Sequence, residues 1–149
     1  MSPMKGAYVL LFIVTKNFSI RVGSLGRIRF EKGCYAYVGS ARSSLFPRLE
    51  RHFARRKKVH WHIDYLTTRR LVVAKKAIYS LEDSKGIECR LSAQLSMFSK
   101  AVPHFGSSDC KEGCPSHLYF LKTTLKRAEV SILGIFANEG LTALSYQNT

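Results

Sequence analysis

The segment 7–15, AYVLLFIVT, limits the folds open to this chain more than any other. It is rich in β-branched and aromatic residues and lacks helical spacing, so it reads as a buried strand. Its apolar run, Ala7 to Val14, falls far short of the ~20 residues that span a bilayer. Only Lys5 precedes the run and no small-residue cleavage site follows it, which argues against a secretory signal. The expectation is a soluble cytoplasmic protein without a membrane partner. At 149 residues with 46% hydrophobic and 11% aromatic side chains, the chain can build one core, and such a composition argues against disorder. A single domain over 1–149 is expected.

Lys16-Asn17 reads as a turn. Phe18 to Val22 and Arg27 to Glu31 flank Gly23-Ser24-Leu25-Gly26, a hairpin by spacing and turn chemistry. Lys32-Gly33 turns into a strand from Cys34 to Val38, broken at Gly39-Ser40-Ala41. The period then changes: Leu45, Leu49 and Phe53 fall on one helical face, with Ser43 or Ser44 as cap and Pro47 in the first turn. Residues 60–68 suggest a short helix or turn, and Leu71 to Leu81 a strand. Asp83-Ser84-Lys85-Gly86 leads into a helix striped by Ile87, Leu91, Leu95 and Phe98. Ala101 to Ser116 reads as a loop, Leu118 to Lys122 as a strand, and Leu125 to Phe136 as a terminal helix. No internal repeat or linker interrupts this order, which predicts an α+β fold with a small mixed sheet flanked by helices.

Charge is the first functional clue. Twenty-four Lys and Arg against ten Asp and Glu give a net +14, a surplus that attracts polyanions. Arg48, His52 and Arg55 share a second helical face. Arg42, Arg51, Arg56, Lys57 and Lys58 widen it, and Glu50 is the single acid in that stretch. A surface so one-sided reads as a phosphate track, although charges on one face are often merely solvated.

Two tripeptides sharpen the reading. Gly6-Ala7-Tyr8 and Tyr37-Val38-Gly39, followed by Ser40-Ala41-Arg42, Pro47-Arg48-Leu49, His52 and a later Glu88, resemble the motifs of the GIY-YIG nucleases. His60-Trp61-His62-Ile63-Asp64-Tyr65-Leu66, Glu88-Cys89 and Phe105-Gly106-Ser107-Ser108-Asp109-Cys110 are similar to an uncharacterised archaeal branch of that superfamily. That branch is sometimes fused to endonuclease III-like glycosylases. The likeness runs from Gly6 to about Leu121. It implies a GIY-YIG-like core, and residues 9–36 between the tripeptides leave room for the inserted hairpin, where the nucleases usually have a short loop.

The resemblance further implies a divalent-metal-dependent endonuclease acting on DNA, or RNA, in a repair setting, with a repair glycosylase as an expected partner. Tyr8 would act as general base or orient the water. An unperturbed phenol titrates near pH 10, so it would need nearby cations. Tyr37 would support the site, Arg48 would pair with the scissile phosphate, and Glu88 would hold Mg²⁺ or Mn²⁺. The alternatives are a nucleic-acid-binding module without catalysis and a scaffold for a repair partner. Residue by residue, the tyrosines could be half-buried strand aromatics, Arg48 a solvated charge, and Glu88 a residue favoured by the helix dipole.

Other residues stay open at this stage. His60, His62 and Asp64 suit DNA contact, an extended active site or a buried polar network, and Trp61 reads as core. Asp109 suits a loop that ties down its own backbone. Cys110, Cys114 and His117, with His104 as fourth ligand, have a spacing that zinc accepts, while free thiols or a disulfide fit the same cysteines.

Overall fold

The computed structural model describes residues 4–82, 86–107, 110 and 113–147. In chain order the elements are β1 (Gly6–Val14), β2 (Phe18–Arg21), β3 (Arg27–Phe30), β4 (Gly33–Ala41), α1 (Leu45–Phe53), α2 (Asp64–Thr67) and β5 (Val72–Ser80). They continue with α3 (Ile87–Ser96), β6 (Lys100–Ala101), β7 (Leu118–Leu121), α4 (Leu125–Asn138) and β8 (Leu144–Tyr146). The fold is α+β. Six strands form one sheet in the order β6-β7-β4-β1-β5-β8, and β2 pairs with β3 in a separate ribbon. Every ladder is antiparallel, where the order of elements had suggested a mixed sheet. The reason is topological. The crossover through α1 and α2 does leave β4 and β5 running the same way, but β1 is inserted between them, so no neighbours are parallel.

β1 is central, and its two faces explain its unbroken apolar sequence. Tyr8, Leu10, Phe12 and Val14 belong to a core shared with Leu45 and Leu49 of α1, Ile63, Leu66, Phe105 and the β2–β3 ribbon. Ala7, Val9 and Leu11 point the other way, into a core built with Ile87, Leu91 and Leu95 of α3 and Ala128, Ile132 and Phe136 of α4. Alternate residues of a strand face opposite sides, so a strand covered on both sides must be apolar throughout. Each such large side chain contributes roughly 1.5–3 kcal/mol by leaving water. The expected hairpin is the β2–β3 ribbon, which packs Ile20, Val22 and Phe30 onto the first face.

Several local expectations shift. β4 continues through Ala41 rather than breaking at Gly39, because those residues stay paired with the start of β1. β6 and β8 are too short to carry a sequence period. Phe98 lies beyond α3 and is exposed, so the apolar stripe ends at Leu95. Ser44 caps α1 without a side-chain hydrogen bond. Among the described residues, no helix is long and apolar enough to cross a membrane.

Candidate functional site

The β1–β4 register places Tyr8 opposite Gly39 and Leu10 opposite Tyr37. Tyr8 and Tyr37 therefore rise from one face as diagonal neighbours. The glycines of both tripeptides have steric reasons to be there. A Cβ on Gly39 would lie 2.4 Å from Cζ and Oη of Tyr8, and one on Gly6 would lie 2.2 Å from the carbonyl oxygen of Ser80. The small residue at 39 is what lets the Tyr8 ring lie across β4.

α1 then supplies the partners. Tyr8 Oη is hydrogen-bonded to His52 Nε2 at 2.7 Å, and the Tyr37 ring meets His52 edge-on, centroids 5.9 Å apart. Arg48 Nη1 donates to the Ser40 carbonyl at 2.5 Å. The Ser40 hydroxyl donates to Glu88 Oε2 at 3.0 Å, and Glu88 Oε1 stands 3.4 Å from His117 Nδ1. Tyr8, Tyr37, Arg48 and Glu88 thus converge where β1, β4, α1 and α3 meet. His52, expected on the basic outer face, is instead buried inside this cluster, because it falls three residues after Leu49 and seven after Leu45, on the buried face of α1.

Electrostatics set the protonation states. Burial above all, reinforced by Tyr37 and Glu88 against the pull of Arg48, raises the Tyr8 pKa well above the ordinary phenol value. Tyr37 is raised for the same leading reason, with Glu88 adding to it. The nearby cation expected to activate Tyr8 is present, but burial outweighs it, so Tyr8 rests as a phenol. Burial, with Lys57 adding, pushes His52 down to about 3, so the Tyr8–His52 bond joins two neutral groups. At Glu88 burial opposes ionisation, yet His117, Ser40 and Arg48 together hold the carboxyl below its usual range. Burial likewise works against a proton on His117, but Glu88 overrides it and raises the pKa.

Next to this cluster lies a clamp on Asp64. Its buried Oδ2 accepts from the backbone N–H groups of His60 and Trp61, both at 2.9 Å, and from Arg51 Nη2 at 2.8 Å. Lys57 Nζ stands 3.7 Å from Oδ1 with its side chain 4% exposed. Burial at Asp64 is outweighed by these donors, so its pKa is lowered, and burial brings Lys57 down to about 8. Of the readings for 60–64, the buried network holds for Asp64. His62 Nδ1 accepts from the Gly106 N–H at 2.9 Å, and His60 is exposed. Trp61 packs against the core but stays half-buried, with Arg48 4.7 Å and Arg51 5.2 Å from its ring centroid.

The expected basic track divides accordingly. α1 ends at Phe53, so Arg55, Arg56, Lys57 and Lys58 lie beyond it, near the end of the helix where cations are favoured. Arg51 and Lys57 serve Asp64, and Lys57 also donates to the Arg51 carbonyl at 2.7 Å. Arg42, Arg55, Arg56 and Lys58 are exposed, with Arg55 bonded to the Arg69 carbonyl.

A second cluster lies behind Glu88. Ligand atoms of Cys89, Cys110, Cys114 and His117 all fall within 4.8 Å of one another, a Cys₃His set able to hold a metal ion. His104 does not join it. That residue sits exposed at a positive φ of 64°, and Cys89, from the first turn of α3, takes the fourth position. All four cysteines are unbridged. Asp109 lies outside the described residues.

Sequence reasoning missed Cys89 and the pairing of His52 with Tyr8. The adjacency Glu88-Cys89 was the available signal for the first, and the seven-residue step from Leu45 for the second. Searches among curated proteins and solved structures return no match. Residues 7–136 match the family described as Domain of unknown function DUF123. That match spans most of the chain, which therefore belongs to this family, a relative of the GIY-YIG nucleases.

Proposed function

We propose that this chain is a GIY-YIG-type endonuclease that hydrolyses phosphodiester bonds in DNA with the help of Mg²⁺ or Mn²⁺. The observation that carries the reading is the Tyr8–His52 hydrogen bond of 2.7 Å, set beside Tyr37, Arg48 and Glu88. Tyr8 Oη would take the proton of the attacking water while its own proton passes to His52 Nε2. Water oxygen would bond to phosphorus as the bond to the leaving sugar oxygen breaks, that oxygen would take a proton from solvent, and His52 would release its own proton to solvent to restore the resting state. The burial that depresses His52 also makes its proton affinity sensitive to nearby charge, so a phosphate drawn in by Arg48 would raise it. Arg48 would offer its planar guanidinium to two phosphoryl oxygens, exchanging the Ser40 carbonyl for the substrate.

Glu88 fits a hard divalent ion. It is an oxygen donor, its side chain is 32% exposed, and its carboxyl is held ionised. Such an ion is commonly bound by one or two carboxylates with substrate phosphate and water completing its shell. When bound it would neutralise charge on the phosphate and leaving oxygen. The exposed Arg42, Arg55, Arg56 and Lys58 would hold the flanking backbone, and the likeness to the glycosylase-fused branch makes base-excision repair the proposed setting.

The low exposure of Tyr8, 1%, favours a second reading, a nucleic-acid-binding module without catalysis. One assay separates them: cleavage of branched, nicked, abasic and single-stranded DNA with Mg²⁺ or Mn²⁺, alongside Tyr8→Phe, Arg48→Ala and Glu88→Ala. On the nuclease reading the native protein cuts and Tyr8→Phe is slower by roughly 10²–10⁴-fold, the usual range for general acid–base groups. Salt-sensitive binding without cutting in any metal would give the second reading the field.

A further inference from the structure

We propose that Cys89, Cys110, Cys114 and His117 bind one Zn²⁺ in a closed tetrahedral site that fastens the 102–117 connection to α3 and fixes His117 behind Glu88. The four groups come from separate places: the first turn of α3, two points of the connection, and the residue that enters β7. Cys110, Cys114 and His117 are close in sequence but Cys89 is not, and the ligand atoms of all four lie within 4.8 Å of one another. With Zn–S bonds of about 2.3 Å, sulfurs at the corners of a tetrahedron stand about 3.8 Å apart. Cys89 and Cys110, at 3.1 Å, need only a small adjustment.

His117 supplies an independent observation. It is 4% exposed, and among the described residues its buried Nε2 meets no hydrogen bond of ordinary geometry, the Cys110 thiol being the neighbour that acts on the ring besides Glu88. A buried ring nitrogen whose company is three thiol sulfurs within 4.8 Å is placed to ligate a metal shared with them. Its other nitrogen, Nδ1, faces Glu88 Oε1 at 3.4 Å. A histidine that turns one nitrogen to a carboxylate and the other to sulfur ligands has the arrangement of a carboxylate–histidine–zinc triad, in which the carboxylate orients the ring. Thiolates select a soft or borderline ion over Mg²⁺, and four protein ligands leave no open position, so the site is structural. An open cleft lined by Gly86, Cys89, Ser92, Gly113, Cys114 and Tyr119 gives the ion a route in.

The geometry also suits the connection it would fasten. The described residues of this connection, 102–107, 110 and 113–117, form no helix or strand, and such connections call for a function or an anchor. Here it carries Phe105 into the first core and Gly106 onto His62, so anchoring its far end to α3 joins both faces of the sheet. Binding would displace the thiol protons, leaving the sulfurs as thiolates on the metal. No redox step is involved.

The test reads metal without nucleic acid, so its outcome is separate from that of the nuclease assay. Full-length protein, purified under reductant and offered Zn²⁺, is measured for zinc by mass spectrometry and by dye-detected release after thiol modification. The expected result is one zinc per chain, absent in Cys89→Ser and Cys114→Ser and retained in His104→Ala. Glu88→Gln should keep the site but weaken its affinity by roughly 10–100-fold, as loss of an orienting partner does. If the serine variants do not fold, Co²⁺ bound to the native protein still decides. Visible bands of a tetrahedral ion with thiolate charge transfer support the site, and an octahedral spectrum overturns it. Native protein without stoichiometric zinc also overturns it, as does recovery of Cys89 and Cys110 as a disulfide from reductant-free protein.

Discussion

Replacing Asp64 by Asn keeps shape and removes charge, which makes it a sharp test of the clamp beside the site. In the native protein three donors converge on Oδ2, at 2.8 to 2.9 Å, and the carboxylate is fully buried. An amide oxygen can still accept from the N–H groups of His60 and Trp61, but as a neutral acceptor. Charge-assisted bonds contribute about 1.5–3 kcal/mol each against about 0.5–1.5 for neutral ones. Three bonds each weakened by about 1 kcal/mol sum to about 3 kcal/mol.

Two features moderate that figure. The Arg51 side chain is 29% exposed, so water recovers part of its loss, and Lys57, already brought down to about 8, can shed its proton rather than remain a buried unpaired cation. The expected cost is therefore about 2–3 kcal/mol, at or below the lower end of the range for breaking a buried ion pair. For a chain of this size 3 kcal/mol corresponds to a Tm lower by roughly 6–12 °C. Urea unfolding followed by far-UV circular dichroism at pH 7 measures the difference. The carboxyl pKa is depressed below 3.8, so its stabilisation is present above pH 3.8 and lost as pH falls below it. The gap between native and variant should close there. A difference under about 1 kcal/mol at pH 7, or one that persists unchanged at pH 3, would refute the clamp as described.

Three other outcomes are expected. Gly39→Ala should destabilise the fold by roughly 1–3 kcal/mol, as overpacking does, and should abolish cleavage by displacing the Tyr8 ring. Thermal unfolding and the DNA assay read these together. His52 remains neutral when folded, at about 3, whereas an unfolded histidine titrates near 6.5. Its depressed value makes stability present above that point and lost as pH falls, about 2 kcal/mol between pH 7.5 and 5. His52→Gln should lack this component, and equal pH slopes for variant and native protein would contradict it. Neutralising Arg42, Arg56 or Lys58 should weaken DNA binding whatever the base sequence and lower the salt slope by about 1 each. An unchanged slope in fluorescence titrations removes that residue from the interface.

The elements that sequence reading located are those whose residues announce their environment locally. The two-faced burial of β1, the hairpin turn at 23–26 and the stripes of α1 and α3 each repeat a simple period. Tyr8, Tyr37, Arg48 and Glu88 were nameable because tripeptides and spacing carried them. What escaped depends on three-dimensional neighbours. The insertion of β1 between β4 and β5 leaves no trace in element order, so the sheet's antiparallel character could not be read. His52 looked like one more polar residue on a basic face, and only the β1–α1 packing turns it to Tyr8. Trp61 does pack against the core as its size suggests, but nothing local showed that two guanidiniums share its ring. Cys89 is far in sequence from Cys110 and Cys114, and the fold of the 102–117 connection brings them together.

Trp61 has a practical consequence. It is the chain's only tryptophan, and its ring lies near Arg48, Arg51 and His52. The intrinsic fluorescence of the whole molecule is thus a signal from one address, available without a label. Guanidiniums that leave the ring for phosphate would change the indole's surroundings, so emission can follow ligand arrival in real time. In unfolding experiments the same optical signal follows the site while circular dichroism follows the sheet, and any separation between the two curves would show the site loosening before the fold gives way.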